Sequence, residues 1–424
     1  MFAPKGLCAA LSAWLLLATG CSRAAPPAFG PQTAWVEVTA EGFELRATAR
    51  DGTCPSAQID GRPAPMSVRS AESDAFPAIC ALAAPKGSAA VAALGQVWKL
   101  SDAAPRRIVV IGDTGCRVRD LSAQDCRSAA GWPFARVAQL AAAKAPDLVI
   151  HVGDYYYRES PCPFDRAACR NSPFGDRFDT WRAELFDPAA PLLAAAPVLF
   201  VRGNHESCSR GGNGWARLFE TRPFTGACQD GGASFVARLG DLSLGVLDSS
   251  VADDREAKPR GVEAMAAQLD KVRAGLGPGE SFLLTHRPIW AAVPVARVGP
   301  LPPIFVGLNA TEQAAARGRT PDQVSLVISG HVHHFAAYSF GPSRPAQLVA
   351  GEGGANLADS DRPAIDRTPL TIDGLSATKV NFARYGYVLM TREAYGWTVE
   401  AHDLDDKIVL TCRLKGRDLS CDPA

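Results

Sequence analysis

Short apolar runs dominate the chain, and they follow two different rhythms. Trp35-Val36-Glu37-Val38-Thr39-Ala40 and Phe43-Glu44-Leu45-Arg46-Ala47-Thr48 alternate with the period of a strand, and turn residues separate further short apolar runs up to Leu100. This predicts a small β domain over residues 33–101, a structural or positioning module without a histidine. From Arg107 the rhythm changes. Strand-like runs alternate with helix-like stretches at Phe134–Ala145, Trp181–Ala195 and Val262–Leu276, which predicts a layered α/β architecture. Tyr385–Leu414 returns to strands and is expected to complete a sheet edge. Two Gly/Pro-rich segments, 158–178 and 206–234, exceed ordinary connection lengths and are expected to wall a site.

Five apolar runs end alike, with a polar metal-ligand type just past the last strand residue. They lead into Gly112-Asp113, Gly153-Asp154, Gly203-Asn204-His205-Glu206, Thr285-His286 and Gly330-His331-Val332-His333-His334. Continuous apolar runs imply strands buried on both faces, and the carboxyl ends of such strands converge on one crevice. The glycines let the backbone turn sharply and approach an ion or phosphate. Carboxylate, imidazole and amide oxygen suit divalent or trivalent first-row ions. A carboxylate can also bridge two ions, and a pair of ions can clamp the attacking and leaving oxygens of a phosphoryl displacement.

In this order, G-D, G-D, G-N-H, apolar-H and G-H-x-H, the blocks resemble the calcineurin-like metallophosphoesterase superfamily over about residues 107–340. The resemblance implies two mixed β-sheets flanked by helices, with a catalytic domain over 107–412. Gly112-Asp113-Thr114-Gly115 has glycine where many members place a histidine, and Gly153-Asp154-Tyr155-Tyr156-Tyr157 carries a tyrosine three residues after the aspartate. Both features resemble the purple acid phosphatases. That likeness implies a ferric ion held by Asp113, Asp154, Tyr157 and His333, and an iron, zinc or manganese ion held by Asp154, Asn204, His286 and His331. It further implies hydrolysis of small phosphate monoesters by a metal-bound hydroxide, with His205 near the leaving group. Phosphodiesters or nucleotides are the alternative substrates, and a non-catalytic surface lipoprotein is the reading from another class.

Other polar residues divide into candidates and structural groups. Arg158, Arg202 and Arg287 are candidates for bidentate phosphate contacts, and Asp248 for orienting a metal ligand. His151, His334 and His402 read as structural imidazoles, and Tyr155 and Tyr156 as packing residues of their loop.

Charge narrows the partners. Lys plus Arg and Asp plus Glu number 44 each, so no global field draws nucleic acid or an anionic membrane to the chain. Residues 1–20 have the order of a secretory signal: Lys5, an apolar run around Leu7–Leu17, then small residues. Leu17-Ala18-Thr19-Gly20-Cys21 resembles a bacterial lipobox, which implies a lipid anchor on Cys21, a tether over 21–32, and a periplasmic or outer-membrane-anchored protein. With Cys8 and Cys21 set aside, ten of the 12 cysteines remain, an even number for an oxidising compartment. Sequence leaves their connectivity open. The simplest arrangement is the local couples Cys54/Cys80, Cys116/Cys126, Cys162/Cys169, Cys208/Cys228 and Cys412/Cys421, and no C-x-x-C pair supports thiolate ligation.

Overall fold

The computed structural model describes residues 29–119, 122–163, 166–231, 234–296, 304–358 and 364–423. The expected signal peptide, Cys21 and most of the tether lie outside the described residues.

Two mixed sheets face each other, one of eleven strands and one of eight. At the centre of the first, Arg107–Ile111, Leu148–His151 and Val198–Phe200 run parallel, with Ile111, His151 and Phe200 in register at their carboxyl ends. At the centre of the second, Leu242–Val246, Ser281–Leu284, Val324–Ser329 and Ala346–Ala350 run parallel, with Val246, Leu284 and Ile328 in register. Strand alternation explains why these runs are apolar throughout. Ile108, Val110, Leu148, Ile150, Phe282, Leu284, Leu326 and Ile328 pack between the sheets. Val109, Ile111 and Val149 face outward onto the helix Phe134–Ala143, while Leu283 and Val327 face the helix Pro259–Gly275 on the other side.

The second expected helix, Trp181–Ala195, is interrupted. Phe178–Trp181 and Asp187–Ala195 are α-helical, but the turn between them, Arg182–Phe186, is a π-turn. Pro188 has no N–H for the carbonyl of Glu184, four residues back, and its ring would crowd that oxygen. The turn widens instead, and Asp187 N–H bonds the carbonyl of Arg182. Gly386–Glu393, Gly396–Asp403, Ile408–Lys415 and Asp418–Pro423 form the expected sheet edge, which runs past residue 412.

The segment 33–101 is not a sheet apart from the rest. Ala34–Thr39 lies parallel to Val198–Phe200, with Glu37 opposite Val198, and Gly42–Thr48, Ile79–Ala83 and Ser67–Ser70 continue the first sheet outward. Pairing there covers what would otherwise be an exposed edge of Val198–Phe200. Only Ala57–Ile59, Arg62–Ala64, Ala90–Ala93 and Gln96–Lys99 form a separate four-stranded sheet.

A buried cation fastens this segment further. Arg46, fully buried, ion-pairs with Glu37 at 2.7 Å and donates to the carbonyls of Leu218 (2.7 Å) and Glu220 (3.1 Å). Arg46→Ala leaves Glu37 and the carbonyl of Leu218 buried without this donor, while Arg69 still donates to the carbonyl of Glu220, so we expect a loss of about 3–5 kcal/mol in chemical denaturation. A loss below about 1 kcal/mol, the scale of a surface pair, would show that the contact does not fasten the segment.

Candidate metal centre

The carboxyl ends of the central strands from both sheets meet at one rim, and the loops leaving them bend hard. Asp113, Asp154 and His331 all have left-handed backbone, with φ of 53°, 58° and 70°. Such conformations in non-glycine residues cost energy and collect at functional sites. Gly153 has φ 101°, and a Cβ on it would sit 2.6 Å from Nδ1 of His286. A Cβ on Gly203 would sit 2.2 Å from Oδ1 of Asp154. Both positions need glycine because backbone and ligand side chain share the same space.

All seven expected ligand residues lie at this rim, in two overlapping groups. Potential donor atoms of Asp113, Asp154 and His333 lie within 4.8 Å of one another, and so do those of Asp154, His286 and His331. Tyr157 belongs to the first group: its Oη donates to Asp154 Oδ2 at 2.9 Å and lies 3.3 Å from Asp113 Oδ1 and 2.8 Å from His333 Nε2. Asn204 belongs to the second, with its Oδ1 3.1 Å from His286 Nε2. Asp154 is shared by both.

The imidazoles are set as ligands. Nδ1 of His286 donates to the carbonyl of Val152 (2.8 Å), and Nδ1 of His333 to that of Asn356 (2.7 Å), so each Nε2 turns a lone pair inward. Nε2 of His331 instead faces Arg287 Nη1 at 2.9 Å and Asp254 Oδ2 at 3.2 Å, which leaves Nδ1 as the ring nitrogen that could meet an ion. Burial holds His331 down to about 4 and His333 down to about 3, so both are neutral near pH 7.

The acids carry the opposite tension. Burial and the charge of Asp154 push Asp113 well above the carboxylate range. Burial works to raise Asp154 too, but the imidazoles of His286 and His205 outweigh it and hold that carboxyl low. Burial, then Asp154 and Asp113, push the Tyr157 phenol well above its ordinary value. Three imidazoles, two carboxyl groups, an amide and a phenol thus meet at one rim, with no lysine or arginine among the seven. This donor set fits a pair of cations.

The calcineurin-like phosphoesterase family model matches residues 106–335, more than half of the 424-residue chain. The chain belongs to the calcineurin-like phosphoesterases. None of the curated proteins matches it significantly. Among solved structures, the purple acid phosphatase PPD1 from yellow lupin (Lupinus luteus) is similar with TM-score 0.55 and 14% identity, over 89% of this chain and 73% of that one. PhoD is similar with TM-score 0.58 and 12% identity, over 94% of this chain and 92% of that one. At these identities the likeness is one of fold.

Around the centre, His205 is joined by Glu159, Arg210, Glu206 and Glu184, to which sequence reasoning assigned no role. The imidazole of His205 packs tilted against the ring of Tyr157, with centroids 3.8 Å apart, and its Nδ1 lies 2.7 Å from Glu159 Oε1. Arg210 packs against the same imidazole and against Glu159. Glu206, buried, accepts the backbone N–H groups of Asp154, Tyr155, Tyr156 and Gly203 at 2.9–3.0 Å, and burial with the charge of Asp154 pushes it up to about 8. Glu184 accepts those of Cys116 (2.9 Å), Tyr157 and Arg158 (3.3 Å).

Of the three arginines proposed for phosphate, only Arg287 reaches the centre, against His331 (2.9 Å) and Asp254. Arg158 is buried against Glu184 at 3.1 Å. Arg202 is buried between Asp248 (3.3 Å), Asp230 (3.0 Å) and the carbonyls of Glu206 and Gln229. Asp248 holds Arg202 and Ser250 and touches no ligand residue among its described partners. His151 bonds Thr114 (2.9 Å) and packs tilted against Tyr155, and His402 stacks on Tyr387. His334 is buried with neither ring nitrogen partnered among the described residues.

All five cysteine couples are bridged. Cys116–Cys126 closes the loop after Asp113, while Cys162–Cys169 and Cys208–Cys228 staple the two long walls.

Asp254 orients the imidazole of His331 from outside the candidate ligand set. Removing such a partner typically weakens metal binding about 10–100-fold. Asp254→Ala is therefore expected to release one metal equivalent at least about tenfold more readily in a competitive chelator titration. Wild-type retention would mean that His331 needs no such support.

Proposed function

We propose that this phosphoesterase hydrolyses small phosphate monoesters at a dinuclear metal centre of the purple acid phosphatase kind. One ion, ferric, would take Asp113, Asp154, Tyr157 and His333. The other, iron, zinc or manganese, would take Asp154, Asn204, His286 and His331. The observation that carries this reading is Tyr157, whose phenol oxygen sits among Asp113, Asp154 and His333 at 2.8–3.3 Å. The fold shared with the lupin purple acid phosphatase supports it.

When bound, paired metal ions supply a water acidic enough to attack phosphorus and positive charge to offset the phosphoryl oxygens. The chain does the rest. Asp154 bridges the two halves, and its Oδ1 is fixed by the N–H of His205 at 2.9 Å. Burial lowers the His205 imidazole, while Glu159 at 2.7 Å works to restore its proton. His205, so held, is placed to offset charge on the leaving oxygen or protonate it. Arg287 on one side and Arg210 on the other bring cationic groups to the mouth.

A phenol loses its proton near pH 10, and this one is pushed higher still, so it becomes a ligand near neutrality only beside a strongly acidic cation. Phenolate bound to ferric iron absorbs visible light. Iron-loaded, aerobically purified protein is therefore expected to be pink to purple and to hydrolyse an aryl phosphate monoester faster than the matching diester. Tyr157→Phe should bleach the colour while part of the hydrolysis survives. A colourless wild type carrying stoichiometric ferric iron would sink the tyrosinate assignment, and faster diester hydrolysis would overturn the substrate class.

We also propose that the protein is exported and held at the membrane by lipid on Cys21. Five disulfides support maturation in an oxidising space, and no helix among the described residues is long and apolar enough to cross a membrane. Cys21→Ser is expected to move the protein from the membrane to the soluble fraction with unchanged hydrolysis per molecule. Wild-type protein already soluble would refute the anchor.

A further inference from the structure

We infer that Glu184 is the positioning residue for the Asp113/Tyr157/His333 half of the centre, an inference that rests on reading those three residues as ligands of one ion. Among the described residues, the Glu184 carboxylate makes no hydrogen bond or ion pair with the three side chains. Its carboxylate instead holds the two backbone loops that carry Asp113 and Tyr157. Oε1 accepts the N–H of Cys116 at 2.9 Å, three residues after Asp113, and Oε2 accepts the N–H groups of Tyr157 and of Arg158 at 3.3 Å. The guanidinium of Arg158 lies 3.1 Å from Oε1 and over the ring of Trp132, whose indole N–H donates to the carbonyl of Thr114 at 2.8 Å. One buried carboxylate is thus linked to the first loop at Cys116 and, through Arg158 and Trp132, at Thr114, and to the second at Tyr157 and Arg158.

The other half of the centre has its own anchor. Glu206 accepts from Asp154, Tyr155, Tyr156 and Gly203, and among the described residues it makes no hydrogen bond to the loop of Asp113. The two glutamates divide the work, so loss of one should loosen one half-site and spare the other.

Glu184 reaches its place through the π-turn Arg182–Phe186 and is fully buried there. A π-turn within a helix carries an extra residue and redirects the side chains it contains.

Glu184→Gln tests this, because an amide offers one acceptor oxygen where the carboxylate uses two. Hydrogen exchange on metal-free protein is the first readout: amides of Cys116, Tyr157 and Arg158 should lose protection while those of Tyr155, Tyr156 and Gly203 keep it. Metal binding is the second. Of the two equivalents in the wild type, one should be released about tenfold or more readily, the scale of removing a ligand's support, and the visible band should shift or fade. Arg158→Met, which keeps the N–H bonds to Glu184, should fall between wild type and Glu184→Gln in both. If Glu184→Gln does not fold, Glu184→Asp keeps the charge but withdraws it by one methylene, and the same selective losses are expected.

Unchanged exchange and metal release in a folded variant would overturn the inference, and so would equal loss across both halves. A wild type that takes up no metal would instead defeat the dinuclear reading, while the exchange pattern still reports whether Glu184 holds the two loops.

Discussion

Five consecutive backbone N–H groups, from Asp154 through Arg158, point into the protein and end on two buried carboxylates, those of Glu206 and Glu184. The centre depends on this arrangement. A loop that bends back from a strand end with Asp154 at φ 58° cannot satisfy its own amides as a helix or strand would. Each orphaned N–H in a dry interior would cost about 1–3 kcal/mol, and a run of five would leave the loop unable to stay folded. Two carboxylates solve that problem and create another, since both are negative charges beneath a site already rich in them. Burial accordingly pushes Glu206 up to about 8 and Glu184 up to about 7. Cations bound above would lower the cost of keeping all these groups ionised.

The sandwich makes this loop arrangement possible. Registers across Ile111, His151 and Phe200 in one sheet, and across Val246, Leu284 and Ile328 in the other, bring the strand ends level. A one-residue slip would reverse which side chains face the core, and the double-sided burial of these strands forbids it. The same burial makes the strands rigid enough to hold ligands from separate chain segments within 4.8 Å.

Much of this was legible in the sequence because the signal is local. Each ligand follows an apolar run and a turn residue, so pattern and chemistry sit within a few positions of each other. The second layer was not legible, for the opposite reason. Glu184, Glu159, Arg210 and Asp254 are ordinary polar residues in ordinary contexts, and they meet the centre only through folding. Glu184 lies 68 positions from Cys116 and 27 from Tyr157. Pro188, four residues after a glutamate within an apolar helical stretch, was the one local hint, since it marks where the helix must widen. Arg158, Arg202 and Arg287 looked alike in sequence, and only their neighbours separate two buried braces from one residue at the mouth. Residues 33–101 alternate like an independent β unit, because strand period carries no information about which sheet a strand joins.

Three disulfides add covalent restraint around the centre. Strained φ values at Asp113, Asp154 and His331 favour relaxation whenever the surrounding structure loosens. The loop after Asp113 is closed by a bridge spanning ten residues, and the walls by bridges spanning seven and 20. Loops of this size contribute about 2–3 kcal/mol each by restricting the unfolded chain, comparable to the strain of one or two such residues, about 1–3 kcal/mol apiece. The centre therefore needs little reorganisation to receive its ions. Its candidate ligands are held in place by backbone geometry that the carboxylates beneath and the disulfides around them keep from relaxing.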